Sequence, residues 1–195
     1  IKSYVRVDDC RAFACAISGH LCTVWNFPSA DATWIYDATT NEWHERESFP
    51  NFGMWDVSGI VECYGKTFVQ RASDGAVGIL SATEYTEWGA ALRYSWTYQG
   101  LYGSGNRVYT GRLELGIETG VGLVTGQGSD PRLTLEISRD GGRTFPITMP
   151  TRSFGAVGQY RTRVHWDRLG GGFDNVYRIS GSDPVPLTVW DTVIR

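Results

Sequence analysis

A Gly/Ser/Asp-rich connection, Gly120-Val121-Gly122-Leu123 then Gly126-Gln127-Gly128-Ser129-Asp130-Pro131, runs into the segment Arg132-Leu133-Thr134-Leu135-Glu136-Ile137. The period-two alternation of that segment marks a half-buried strand. It ends in Ser138-Arg139-Asp140-Gly141-Gly142-Arg143-Thr144-Phe145, the Ser-x-Asp-x-Gly-x-Thr-Phe spacing of an Asp-box hairpin. At that spacing the Ser138 and Asp140 side chains bond turn amides, Gly142 takes positive φ, and Phe145, after Thr144, anchors the returning strand. Polar groups occupied in holding a turn are not free for chemistry. The motif is therefore read as architecture, and a tight all-β scaffold is expected in preference to an active site.

Composition agrees with that scaffold. The chain has 195 residues, enough to bury a real core as one domain or two small ones. Its 24 glycines, with eight Trp, ten Tyr and eight Phe, point to many short strands joined by tight turns. A capping-box pattern at Ser81-Ala82-Thr83-Glu84, followed by Tyr85, Trp88 and Leu92, is the one helical candidate, but a repeat described below accounts for the same residues. Net charge is −3, and the two lysines are Lys2 and Lys66, so no basic stripe exists to neutralise phosphates. Strong direct DNA binding is not expected. No apolar run approaches the length of a membrane-spanning helix, and no secretory leader is read. Ile1 already sits in strand-like sequence, and the chain is expected to be a piece of something longer. Cys10, Cys15, Cys22 and Cys63 lack the CxxC pairing of a zinc site and are expected to be reduced thiols.

Two segments of the first half resemble each other. Gly19-His20-Leu21-Cys22-Thr23-Val24-Trp25, Thr33-Trp34-Ile35-Tyr36-Asp37 and Asn41-Glu42-Trp43 are echoed by Gly65-Lys66-Thr67-Phe68-Val69-Gln70, Ala76-Val77-Gly78-Ile79-Leu80 and Thr86-Glu87-Trp88. The offset suits a four-stranded propeller blade, typically about 40–50 residues. Residues 1–102 are accordingly expected to form two propeller-blade-like repeats. The cluster Gly100, Gly103, Ser104, Gly105 and Asn106 suggests a boundary near 100–106. Beyond it, residues 103–195 alternate as antiparallel strands around Leu113, Leu115 and Ile117, around Thr162, Val164 and Trp166, and around Leu187, Val189, Asp191 and Val193. A sandwich-like unit or a further blade is expected there.

Candidates for chemistry are few. The histidines are His20, His44 and His165, and none is placed by a nucleophile motif such as G-x-S-x-G, HExxH or a P-loop. Asp boxes and propellers occur together in sialidases, and Arg152, Arg161, Arg163, Arg168 and Tyr160 would be that chemistry's raw material. Arg161 and Arg163, however, are read two apart on one strand. With His165 they form a polar face better suited to an interaction surface. Asp8-Asp9 and Asp37 to Asn41 lack EF-hand spacing and are read as surface turns. No catalytic residue, metal site or cofactor is expected.

The C-terminal half resembles the packaged-DNA stabilisation, or tail hub, proteins of short-tailed P22-like phages and related prophages. The matching residues are Leu113-Glu114-Leu115, Glu118 through Leu123, Gly126 through Pro131, and Ser138 through Thr144. They continue through Gly158-Gln159-Tyr160-Arg161-Thr162-Arg163-Val164, Trp166-Asp167-Arg168-Leu169-Gly170 and Ser182-Asp183-Pro184-Val185. Thr33 through Asp37 and Asn41 through Arg46 are similar to that family's blade segments. Phe145 stands where the family more often has Trp, and residues 146–155 depart from its usual run. The resemblance implies a virion structural protein and not an enzyme. It implies a homo-oligomeric ring of six in the virion tail, assembled in the host bacterial cytoplasm. The ring would contact the portal-adaptor ring, the tail needle and the tailspikes, and would help to retain packaged DNA. The alternative weighed against it is a propeller-type glycan-binding or sialidase-like protein.

Overall fold

The computed structural model describes Ile1, residues 3–17 and residues 19–195; Lys2, noted above, lies outside the described residues. The chain folds as two compact units, Ile1–Ala90 and Ala91–Arg195. Both are antiparallel β. The helical structure among the described residues is one 3-10 turn, Pro28–Ala30, and no helix is long and apolar enough to cross a membrane. The Ser81–Glu84 segment is irregular, with its Ser81 and Thr83 hydroxyls bonded to each other.

In the first unit β1 (Arg11–Ile17), β2 (His20–Phe27), β3 (Ala32–Asp37) and β4 (Glu42–Glu45) form a four-stranded meander. Alternation sets its two faces. Cys22, Val24 and Ile35 turn inward, while Trp25, Tyr36 and Trp43 stack on the other face, with Trp25 and Trp43 centroids 5.1 Å apart. A short hairpin follows, β5 (Glu47–Ser48) with β6 (Gly53–Met54). Gly53 leaves room there for the Asp31 carboxylate, which accepts the Met54 amide and which a Cβ would crowd.

A second meander of β7 (Val57–Cys63), β8 (Lys66–Arg71) and β9 (Val77–Leu80) repeats the first three strands. Its opening turn, Tyr64-Gly65, has both residues at positive φ (51° and 67°), the twist that joins antiparallel strands tightly. The core of this unit is Cys15, Cys22, Val24, Ile35, Trp55, Val57 and Val69. All four cysteines are free thiols. Two arginines roof it, Arg46 over the Trp55 ring at 4.1 Å and Arg71 over Trp88 at 4.3 Å. The short strands β10 (Thr86–Glu87) and β11 (Ala90–Ala91) pair at the division between units. Among the described residues no sheet closes on itself, so the propeller expected for residues 1–102 does not appear as such; what the sequence repeat encodes is a repeated meander.

The second unit contains two sheets. One combines β12 (Tyr94–Thr97), β13 (Leu101–Tyr102), β15 (Arg132–Ser138), β16 (Ile147–Thr148), β17 (Arg152–Ser153) and β19 (Asp174–Gly181). The other has β14 (Val108–Ile117) between β18 (Val164–Gly172) and β20 (Val189–Ile194). Leu113, Leu115 and Ile117 of β14, with Val164 and Trp166 of β18, pack on Leu133, Leu135 and Ile137 of β15 and on Tyr177 and Ile179 of β19. Two apolar faces sharing one core make a β-sandwich. The chain passes from one sheet to the other between β18 and β19, at Phe173.

Plain alternation after Trp166 would turn Arg168 into this core. A bulge prevents that: β14 advances from Thr110 to Arg112 while β18 retreats from Gly170 to Asp167, leaving Arg168 and Leu169 opposite Gly111. Arg168 takes φ 59° and stays exposed, and Leu169 enters the core at 3 % exposure.

The boundary differs from the sequence expectation. The Gly100–Asn106 cluster marks turns inside the second unit, since β12 and β13 on either side of Gly100 both pair with β19, and Tyr94, Trp96, Tyr98 and Leu101 pack on the sandwich core. A polypeptide of residues 91–195 should therefore give one cooperative urea transition. One of residues 103–195, which loses both strands, should unfold at lower urea or not fold. Equal midpoints would show that β12 and β13 add nothing. Within the sandwich, Trp166→Ala empties a fully buried site and should cost about 3–5 kcal/mol in the same measurement.

Candidate functional site

The Ser138–Phe145 turn is a dense polar cluster on the sandwich. The Ser138 hydroxyl, fully buried at the end of β15, donates to Asp140 Oδ1 at 2.6 Å and accepts the Gly142 amide at 2.9 Å. Asp140 Oδ1 also accepts the amides of Arg143 and Thr144, both at 3.0 Å, and Oδ2 accepts the Thr144 hydroxyl at 2.6 Å. The hydroxyls of Ser138 and Thr144 and the two amides together hold the Asp140 carboxyl far below the usual carboxylate range. Gly141 and Gly142 both sit at positive φ, 75° and 90°. Phe145 lies under the Arg178 guanidinium at 4.0 Å, and the chain returns as β16 beside Glu136 and Ile137.

Arg139 fastens this turn to the crossover between sheets. Its guanidinium donates to Asn175 Oδ1 at 2.6 Å and to the Leu169 carbonyl, and the Gly141 amide donates to the Asp174 carbonyl at 3.2 Å. The Ser138, Arg139, Asp140 and Thr144 side chains are thus all engaged inside the fold. Its chemistry is that of a clamp.

Arg161, Arg163 and His165 are not three residues of one strand. β18 begins at Val164, and Arg161 belongs to a turn closed by Gln159 N to Ala156 O and by the Thr162 hydroxyl to Gln159 O. Arg163 and His165 do share the outer face of the three-stranded sheet. There Arg163 pairs with Glu114 at 3.0 Å, Arg112 pairs with Asp167 at 2.6 Å, and His165 Nε2 lies 3.4 Å from Asp167. Hydrogen bonding and charge from Arg112 hold the Asp167 carboxyl below its usual range. Beside this network a depression of about 430 Å³ opens between Arg163, Tyr160 and Trp190, the two rings standing over Gly120 and Gly116.

One constellation had no signal in the linear sequence. On the inner face of the first meander, His20, Cys22, Asp37, His44 and Arg46 line a cleft of about 290 Å³. Cys22 faces Asp37 across the β2–β3 pair, and Ile35 faces His44 across β3–β4, which puts these alternate positions on one face. His20 Nδ1 donates to Asp37 Oδ2 at 2.6 Å, and the Thr39 amide donates to Oδ1 at 2.8 Å. Burial opposes ionisation of Asp37, but these bonds and those from Thr40 prevail and hold it at about 2. The adjoining thiols go the other way. Burial, then the neighbouring Cys22, pushes Cys15 up to about 11, and burial with the Asp37 charge raises Cys22. Both effects disfavour the thiolate, the form in which a cysteine acts as a nucleophile.

The remaining sequence candidates are dispersed. Asp8 pairs with Arg6 at 2.6 Å, Asp9 accepts the Ser29 amide, and Arg152 and Arg168 are exposed on the sandwich. No group of three or more His, Cys, Asp or Glu side chains among the described residues could hold a metal ion.

Compared with known proteins, residues 93–195 match the family model described as Bacteriophage P22 Gp10, beta-sandwich. No curated protein matches the chain.

Two outcomes follow from the clamp. Ser138→Ala orphans the Gly142 amide and removes a buried bond to Asp140, and should cost about 1–3 kcal/mol in urea denaturation. A change indistinguishable from zero would show the hydroxyl to be idle. Asp140 contributes with a defined sign of pH dependence. Its carboxyl titrates lower in the folded chain than the roughly 3.9 of an unfolded one, so its stabilisation is present above about pH 4 and is lost as pH falls through the folded value. Asp140→Asn should flatten the acid limb of the stability–pH profile, read by thermal melts; an unaltered limb would contradict the assignment.

Proposed function

The chain belongs to the bacteriophage P22 Gp10 beta-sandwich family through residues 93–195, and we propose that it serves as a tail-hub and head-closure component of a short-tailed phage virion. The family is one of phage structural tail-hub proteins, without an enzymatic role. The observation that carries the proposal is the agreement between the matched residues and the folded second unit, Ala91–Arg195. The matched segment is thus a whole domain with its own core. In this reading the chain joins the portal-adaptor ring to tail parts, assembles in the host cytoplasm as a homo-oligomeric ring of six, and contacts the tail needle and tailspikes. The first unit, Ile1–Ala90, contributes two blade-like meanders. The glycan-binding alternative has no support among these findings.

Retention of DNA in this proposal is steric. Four arginines of the sandwich are engaged by carboxylates: Arg112 by Asp167, Arg132 by Asp130, Arg163 by Glu114 and Arg178 by Glu136. Net charge is −3, so no long-range attraction replaces those lost donors. Contacts with neighbours fall instead to exposed aromatic and arginine-bearing surfaces. Arg161, Arg163 and His165 form the polar part of one, with Tyr160 and Trp190, 73 % and 66 % exposed, beside them. The Ser138–Phe145 clamp gives the rigidity that such a closure needs.

Duplex DNA affinity measured across salt concentrations tests the mechanism. The proposal expects binding no tighter than about 10⁻⁴–10⁻⁶ M at physiological salt, the range of non-specific association. Sub-micromolar binding with a steep salt slope would show that the protein grips DNA itself and would overturn steric retention.

A further inference from the structure

The cleft on the inner face of the first meander plays no part in the hub reading, yet its composition is specific. Arg46 makes it more than a gap in packing. Its Nε is buried and has no hydrogen-bond partner among the described residues. Burial drives its affinity for a proton down, and Glu87 is the carboxylate whose charge it feels most. Glu87 does not complete the pairing: Oε1 accepts the Ser48 hydroxyl, and Oε2 is itself buried without a partner. The guanidinium lies over the Trp55 ring at 4.1 Å, with its Nε–H donor unmet. A desolvated cation with open donors is costly until a counter-charge meets it.

The other charge in the cleft is already committed. Asp37 accepts from His20 Nδ1 and from the Thr39 and Thr40 amides, so it closes its own turn and is not spent on Arg46. His44 is exposed at the mouth, on the same face, and brings a second imidazole. Ile17 and Ile35 supply an apolar lining that strengthens any charge–charge contact made there. The volume, about 290 Å³, is several times the roughly 30 Å³ share of one water molecule.

We propose that this cleft binds a small oxyanion, a carboxylate or a phosphate, seated on the Arg46 guanidinium with His44 at its mouth. A planar guanidinium presents paired donors matched to two oxygens of either group. The ionised Asp37 lines the same cleft and opposes an anion, so the affinity belongs in the millimolar range. The site is independent of the hub role, and neither stands or falls with the other.

The test is titration of the 195-residue chain with sodium phosphate and, separately, sodium acetate, against sodium chloride at equal ionic strength, followed by ¹H–¹⁵N NMR. Saturable shifts centred on residues 20–46, absent in chloride, are the expected result. Arg46→Met should weaken binding at least about tenfold, and His44→Ala, at an exposed position, about threefold with an unchanged melting temperature. Tighter phosphate than acetate identifies a phosphate-type ligand, and the reverse a carboxylate. Should Arg46→Met fail to fold, Arg46→Lys, which keeps the charge and loses the paired donors, takes its place. No saturable shift, equal shifts in chloride, or affinity unchanged in both the Arg46 and His44 variants would overturn the proposal.

Discussion

The burial of two alternating apolar faces against each other governs the second unit. Leu113, Leu115 and Ile117 from one sheet and Leu133, Leu135 and Ile137 from the other are all at or below 5 % exposure. Because side chains alternate strictly along a strand, one slip of register would turn such a face outward, so everything around the sandwich serves to hold register. The bulge at Arg168 and Leu169 corrects one place where alternation would bury a charge. Asn175, fully buried, bridges the crossover by donating to the Val108 carbonyl while accepting from Arg139.

The same requirement explains how the polar residues are used. Ser138 and Asp140 close the turn that follows the central strand of one sheet, and Arg139 carries that closure to the neighbouring crossover. On the outer face of the other sheet, Arg112 with Asp167 and Arg163 with Glu114 form two ion pairs between neighbouring chain segments. These exposed pairs add little stability individually. Their consequence is local: Arg112 and Arg163 on this face are met by carboxylates.

What was legible in the sequence was local. The all-β class, the repeated segments of the first half and the Ser138–Phe145 spacing depend on near neighbours, and the structure displays a repeated meander and a dense turn at those residues. Tertiary pairing was less visible. The glycines and polar residues at 100–106 look like a linker until β12 and β13 are seen to dock on β19, 72–87 residues later in the chain. Arg161 seemed to extend a strand because its spacing continued the alternation, but the Gln159–Thr162 bond ends the turn just before β18. His20 and Asp37 lie 17 positions apart, and only the β2–β3 register brings them to 2.6 Å. A cross-strand juxtaposition of that kind has no short motif to announce it.

The central claim is that the polar groups of the Ser138–Phe145 turn are spent on holding the sandwich and not kept for a ligand. Native-state hydrogen exchange of the Gly142, Arg143 and Thr144 amides, the donors to Ser138 and Asp140, measures this directly. The account predicts protection in the chain without any ligand, opening together with the β15 amides at the free energy of unfolding of the sandwich. Exchange at the rate of an open loop, while Leu133, Leu135 and Ile137 remain protected, would contradict it.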